Sequence, residues 1–400
     1  MRPRPLRPRD YVGAAAVLVV VVTVVVWSVR RDLAATPCSH DVCDTRKIIS
    51  GYTHSDYSAC VCEDVAYGTH PQQRLDVYKP PGKGPFPVIV WVHGGHFTTG
   101  SRVFDVSGDG KIDVVEDWAA VLRQVTRNYA VVSIDYRLAS STAHYTRLIQ
   151  DVRQAVRFVK WQGPRFRFKA AGSPGPRVAL WGHSAGATLV TLTDVASRLS
   201  KTNWDFGQGF AELAKYDDES DLVIAYSGVY DFNQVLDPYR NSKNPLHELF
   251  WNASNGASHF LGCDHYNGDA LPYAACKPPT AQDPPPYPAL PNDSPLRLAS
   301  PLTWAGLGSY TMVAYGTDDA LLPPAVQSKK YWERRNAASD KKTDFFDLPK
   351  GGHGGGPDPK TGAPGNGYPA WNAGSGKSEL EPKISIRDWV DRALSEQLRR

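Results

Sequence analysis

Beyond residue 62 the chain falls into short apolar runs separated by turn residues. Residues 88–92, 130–134, 178–181, 222–226, 311–315 and 345–348 are rich in Val, Ile and aromatic side chains, and several are apolar throughout. A strand with one wet face alternates; a strand apolar at every position is covered on both faces, which predicts a parallel sheet between helices. Residues 115–127 and 147–161 read as such helices, because their apolar positions recur at three- and four-residue spacing. Strand and helix in alternation predict an α/β fold class. From 232 to 301 the alternation lapses into aromatic, Asn-rich and finally Pro-rich sequence. A connection this long inside a domain is usually functional, so it is expected to form a cap or lid, against the plainer alternative of a surface insertion.

Before residue 62 the pattern is of another kind. Residues 11–29, YVGAAAVLVVVVTVVVWSV, carry no charge; as a helix they would span about 28 Å, close to the ~30 Å of a bilayer's hydrocarbon. Arg2, Arg4, Arg7 and Arg9 precede the run, so the expectation is a single-pass anchor with residues 1–10 cytoplasmic and everything after Arg30 outside. A cleaved secretory signal is the alternative, and it too exports the catalytic part. The expected layout is thus a basic segment over 1–10, a transmembrane helix over 11–29, a cysteine-containing stalk over 30–62, and a catalytic domain over 63–400 with the 232–301 insertion.

Charge and cysteine content fit export. The formal net charge is +4, yet residues 1–31 alone hold six Arg against one Asp, so the rest is near neutral. A body without clustered basic residues argues against a nucleic-acid partner. The six cysteines are an even number, as disulfides in an oxidising compartment require. Cys263 and Cys276 are expected to pair with each other, whereas the pairing of Cys38, Cys43, Cys60 and Cys62 stays open, and the spacing fits no regular zinc finger.

The chemistry concentrates in three stretches. GHSAG, 182–186, follows the apolar run RVAL and precedes the helical ATLVTLTDVASRL, the strand–turn–helix setting in which G-x-S-x-G presents an exposed serine on a tight turn. A serine hydroxyl is a weak nucleophile near neutral pH and needs a histidine base steadied by a carboxylate. In this arrangement the chain order is Ser, acid, His. The matching acids lie in MVAYGTDDALLPP, and the one histidine beyond them is His353, in the glycine-rich turn PKGGHGGGP. Chemistry alone leaves Asp318 and Asp319 both open. HGGH, 93–96, ends another apolar run, where glycine amides can face a developing oxyanion together with the amide of Ala185. His93 itself reads as a loop brace.

These motifs together resemble the carboxylesterase branch of the α/β-hydrolases, which includes feruloyl esterases, lipases of the hormone-sensitive type and kynurenine formamidases. The resemblance runs from about Tyr67 to the C-terminus through YGTHPQQRLDVYKP, HGGHF, SIDYRLA, QDVRQAVRFVKW, GHSAG and YGTDDALLPP. It implies an α/β-hydrolase fold, Ser184, Asp319 and His353 as catalytic residues, and Gly94, Gly95 and Ala185 as oxyanion donors. Asp319 is implied because it stands four residues before Pro323, where the family places its acid. The chain departs from the family at His96, where Gly or Ala is frequent, and in the insertion.

A separate signal is DVSGDGKIDVVE, 105–116. It fits the twelve-residue calcium loop, with Asp105, Ser107 and Asp109 at positions one, three and five, Gly110 at the turn, the Lys111 carbonyl at seven, Asp113 at nine and Glu116 at twelve. Such a calcium would be structural, and an acidic turn capping the following helix is the alternative. The reading as a whole is a serine hydrolase acting on a small acyl ester with no cofactor needed for catalysis. A formamidase, amidase or acyltransferase could use the same residues, and an inactive adhesion or scaffold ectodomain on this fold is the alternative from another class.

Overall fold

The computed structural model describes residues 38, 42–49, 57–103, 111–112, 118–140, 142–170, 175–199, 210–235, 256–262, 295–338, 343–353, 377–378 and 384–399. These build around an 11-stranded sheet. Its strands in chain order are β1 (Thr45–Ile49), β2 (Tyr57–Ala66), β3 (Arg74–Lys79), β4 (Val88–Val92), β5 (Lys111–Ile112), β6 (Ala130–Ile134), β7 (Val178–His183), β8 (Leu222–Tyr226), β9 (Tyr310–Gly316), β10 (Thr343–Leu348) and β11 (Lys377–Ser378). Across the sheet they run β11-β10-β9-β8-β7-β4-β6-β3-β2-β1-β5. From β6 to β10 every neighbouring pair is parallel, while β6–β3, β3–β2 and β2–β1 are antiparallel.

The apolar runs expected as strands are the parallel strands, and the reason for their continuous apolarity is visible in the packing. Within β4, Val88, Val90 and Val92 join one buried cluster, and Ile89 and Trp91 join the cluster on the opposite face. The first face is covered by α1 (Tyr145–Trp161), α2 (Ala185–Leu199) and α3 (Ser328–Ala338) through Leu148, Val152, Leu189, Leu192 and Tyr331. The second is covered by α4 (Ile386–Leu398) through Trp389, Val390 and Leu394, and by a short helix at Trp118–Leu122. A mostly parallel sheet between helix layers is the α/β arrangement expected.

Several expectations need correction. The helix expected over 115–127 is an α-helix only at Trp118–Leu122 and tightens into a 3-10 turn at Arg123–Arg127, stopped by Asn128 in the left-handed conformation at φ 64°. Part of the stretch expected as a stalk is sheet instead: β1 lies within it and β2 runs through its end at residue 62. The four N-terminal cysteines pair as Cys38–Cys60 and Cys43–Cys62, which leaves no thiolate among them for a metal. Among the described residues no helix is long and apolar enough to cross a membrane. The run 11–29, the pair Cys263 and Cys276, and the calcium-loop residues Asp105, Ser107, Asp109, Asp113 and Glu116 lie outside the described residues.

Part of the 232–301 insertion is built into the core. The segment Gly256–Leu261 is helical, and Phe260 is fully buried, stacked on Phe97 at 3.9 Å and beside Phe232 at 5.3 Å. Phe97 follows HGGH directly, so this segment backs the loop that carries Gly94 and Gly95. Phe260→Ala should therefore cost about 3–5 kcal/mol of stability, read as a lower denaturation midpoint in urea; a purely superficial segment would lose less than about 1 kcal/mol.

Candidate active site

The serine stands where β7 turns into α2. Ser184 has φ 54°, a left-handed conformation uncommon for a residue with a side chain, and it is 5% exposed. Two glycines make that turn: a Cβ on Gly182 would collide with the Gly186 carbonyl, and one on Gly186 with the Val92 carbonyl. The turn is tied to the sheet by the Ser184 N–H, which donates to the Tyr226 carbonyl at 2.9 Å. With the backbone fixed this way, the hydroxyl points out past the end of the sheet.

Parallel register brings the other groups to the same end. Val92 pairs with Gly182, so the HGGH loop leaving β4 lies beside the serine turn; a Cβ on Gly94 would be 3.2 Å from the Ser184 Cβ. Gly316 pairs with Leu348, so the loops after β9 and β10 leave side by side. They are joined by Asp318 N–H to Gly351 carbonyl at 2.7 Å and Lys350 N–H to Thr317 Oγ1 at 2.8 Å. One loop carries Asp319 and the other His353.

The three side chains meet in a line. His353 Nε2 is 2.8 Å from Ser184 Oγ, and His353 Nδ1 is 3.0 Å from Asp319 Oδ2. The carboxylate requires the proton on Nδ1, which leaves Nε2 free to accept from the serine hydroxyl. Asp319 is 3% exposed, and its other oxygen accepts the Leu321 and Leu322 amides at 3.0 and 2.8 Å. Asp318, the open alternative, is exposed and receives the Thr317 hydroxyl. Among the described residues the amides of Gly94, Gly95 and Ala185 have no protein acceptor; Gly94 lies against the serine turn and Ala185 follows Ser184 in the chain.

Two histidines frame the loop. His93 is 2% exposed, stacks on Tyr136 at 4.4 Å, and its Nδ1–H donates to the Gly94 carbonyl at 2.7 Å. It is the brace the sequence suggested. Burial pushes its pKa down, outweighing the Gly94 hydrogen bond and the Asp135 charge. His96, at φ 54°, is also pushed down, by burial first and then by the His353 and His183 imidazoles. Sequence reasoning passed over His183, whose Nε2–H donates to the His353 carbonyl at 3.0 Å; a donor at the free position of GxSxG was the only signal.

A sheet of this order, with a strained serine between strand and helix and with imidazole and carboxylate on later loops, has the arrangement of the α/β-hydrolase fold. Residues 75–260 match the family model BD-FAE, and in that stretch the chain is similar to the carboxylesterase branch of the α/β-hydrolases. It is 26% identical over 295 residues to esterase LipC of Mycobacterium tuberculosis, covering 72% of this chain and 59% of that one. It is 28% identical over 181 residues to the kynurenine formamidase of Danio rerio, covering 44% of this chain and 49% of that one. A bifunctional GH43-CE protein of Bacteroides eggerthii shares the fold at a TM-score of 0.50 and 20% identity, over 74% of this chain and 36% of that one. The chain thus spans between a third and three fifths of the length of these proteins.

Two measurements test the loop. Gly95 sits at φ 110°, and a Cβ there would collide with the Thr99 carbonyl; Gly95→Ala should lower stability by about 1–3 kcal/mol, seen as a reduced Tm. His93 titrates near pH 6.5 when unfolded and lower when folded, so its neutral burial stabilises fully above pH 6.5. That contribution is lost as pH falls from 6.5 through the folded pKa. The fall in Tm between pH 7 and 5 should be shallower in His93→Gln than in the wild type.

Proposed function

We propose that this chain is a serine hydrolase that cleaves carboxylic esters through an acyl-serine intermediate. The observation that carries the reading is the continuous contact Ser184–His353–Asp319. In this scheme Ser184 Oγ attacks the ester carbonyl as its proton passes to His353 Nε2, and the electron pair of the C=O bond moves onto oxygen. The amides of Gly94, Gly95 and Ala185 receive that oxyanion, each contributing about 3 kcal/mol to the transition state. Collapse expels the alcohol, which takes the proton from His353, and leaves acyl-Ser184. Water, deprotonated by the same imidazole, repeats the cycle and releases the acid. Asp319 holds the ring in its Nδ1–H tautomer and stabilises the imidazolium.

An amide or N-formyl bond would engage the same atoms, and the likeness to a kynurenine formamidase makes this the second reading. It separates from the first by comparing an ester with its isosteric amide and with N-formyl substrates. Acyl transfer would appear as product formed with an added alcohol. An inactive scaffold role has little support where every position of the relay is filled.

Export and anchoring through residues 11–29 remain part of the proposal. The two disulfides support an oxidising compartment. A structural calcium in the loop 105–116 is proposed from the ligand pattern. Lys111 and Ile112, at its seventh and eighth positions, pair with β1 at Ile48 and Ile49, so the centre of the loop is fixed to the sheet edge. Chelation should lower Tm and added calcium restore it; an unchanged Tm refutes the site.

The catalytic assignment makes a sharper forecast. Asp319→Asn should reduce kcat by about 10⁴-fold, the size of effect seen when a triad carboxylate is lost with geometry intact, whereas Asp318→Asn should stay within a few-fold of wild type. Steady-state rates on a p-nitrophenyl ester measure both. Fluorophosphonate labelling that survives Ser184→Ala would refute the nucleophile.

A further inference from the structure

The base of this relay follows two glycines that place few constraints on its backbone. His353 follows Gly351 and Gly352, and glycine carries the greatest backbone freedom of any residue. Hydrogen bonds that dock this loop on its neighbour run from the Asp318 N–H to the Gly351 carbonyl and from the Lys350 N–H to Thr317 Oγ1, before the histidine. The backbone of residue 353 itself is held at 3.0 Å by the His183 side chain.

His183 is a rigid point from which to hold it. It is the last residue of β7, in register with Tyr226 on β8, 9% exposed, with its ring stacked on that of Tyr226 at 5.2 Å and 26°. The next residue in the chain is the nucleophile. One strand end therefore fixes Ser184 through the backbone and the carbonyl of residue 353 through the neighbouring side chain. The separation between hydroxyl and imidazole is thereby referred to a single covalent unit.

We infer that His183 is a positioning residue, whose Nε2–H sets the backbone of His353 and so the Ser184–His353 distance; the inference rests on the proposed reading of the site. The nitrogen that donates keeps its hydrogen whether or not the ring takes a second proton, so the tie holds on both sides of neutrality. Its loss would let the imidazole wander by about an ångström, a misplacement that can cost on the order of 10²-fold in rate. Substrate binding, which does not need the imidazole in line, should be spared.

The test compares His183→Gln with His183→Met in the full chain. The two side chains have nearly the same volume and both lose the ring, but only Gln offers a terminal N–H at about the reach of Nε2. We expect His183→Gln to keep kcat within about threefold of wild type on p-nitrophenyl acetate. His183→Met should lose on the order of 10- to 100-fold in kcat and in fluorophosphonate labelling rate, with KM within about twofold of wild type and Tm equal to that of His183→Gln. Equal kcat in the two variants, whether both high or both low, overturns the inference, as does a loss in His183→Met that lies in KM alone. A wild-type chain that neither hydrolyses the ester nor takes the label overturns the reading of the site itself, which separates the two failures.

Discussion

A residue with a side chain does not rest at φ 54° without compensation; such a conformation costs on the order of 1–3 kcal/mol. Ser184 stays there because the chain before and after it has no freedom to relax. Gly182 and Gly186 lie so close that neither tolerates a Cβ, and Gly186 in turn lies against the carbonyl of Val92. Leu180 on one side of the turn and Leu189 and Leu192 on the other are fully buried. Burying one such side chain stabilises by about 1.5–3 kcal/mol, so the apolar contacts that seat β7 and α2 outweigh the local strain. The direction of the hydroxyl is thus a property of the backbone, and everything else in the site is arranged around a fixed point.

Parallel pairing explains how distant stretches reach that point. Strands that run the same way end at the same edge, and their outgoing loops are neighbours wherever the strands are. The β4–β7 pair puts Gly94 and Gly95 beside the serine turn, and the β9–β10 pair puts the loop of Asp319 beside that of His353. The carboxylate then needs no further partner: Asp319 accepts two amides on one oxygen and the imidazole on the other. Buried and satisfied, it reaches the serine only through His353, which suits the orienting role proposed for it.

Much of this was legible in the sequence because parallel strands and catalytic turns leave strong local marks. Continuous Val and Ile runs, a GxSxG between strand and helix, and a single histidine beyond the acids leave little choice. The antiparallel strands were not legible for the opposite reason. TRKII and YSACVCEDVA mix polar and apolar positions on a sheet edge, and β2 is irregular between Cys62 and Val65, which breaks the period of two. The disulfide pairing likewise follows from a register that composition cannot supply. The insertion offered no period at all, so the role of Phe260 emerged only from its stacking on Phe97. His183 was hidden because its contact is to a backbone carbonyl 170 residues away, and such a contact leaves no mark on side-chain chemistry.

The two disulfides sit on the part of the sheet that lacks those strong marks. Cys60 and Cys62 are two apart on β2 and so face the same side, and both reach back to the chain before β1. Cross-links closing loops of 22 and 19 residues stabilise by about 3 kcal/mol each in the chain-entropy model. They add to the burial of Ile49, Ala59 and Val61 at this edge. Between β2 and the serine's strand lie β3, β6 and β4, so the bonds are remote from the chemistry. Reduction would therefore act first on the stability of the edge, and the geometry at Ser184, secured by glycines and parallel register, would be lost only if the edge carried the sheet with it.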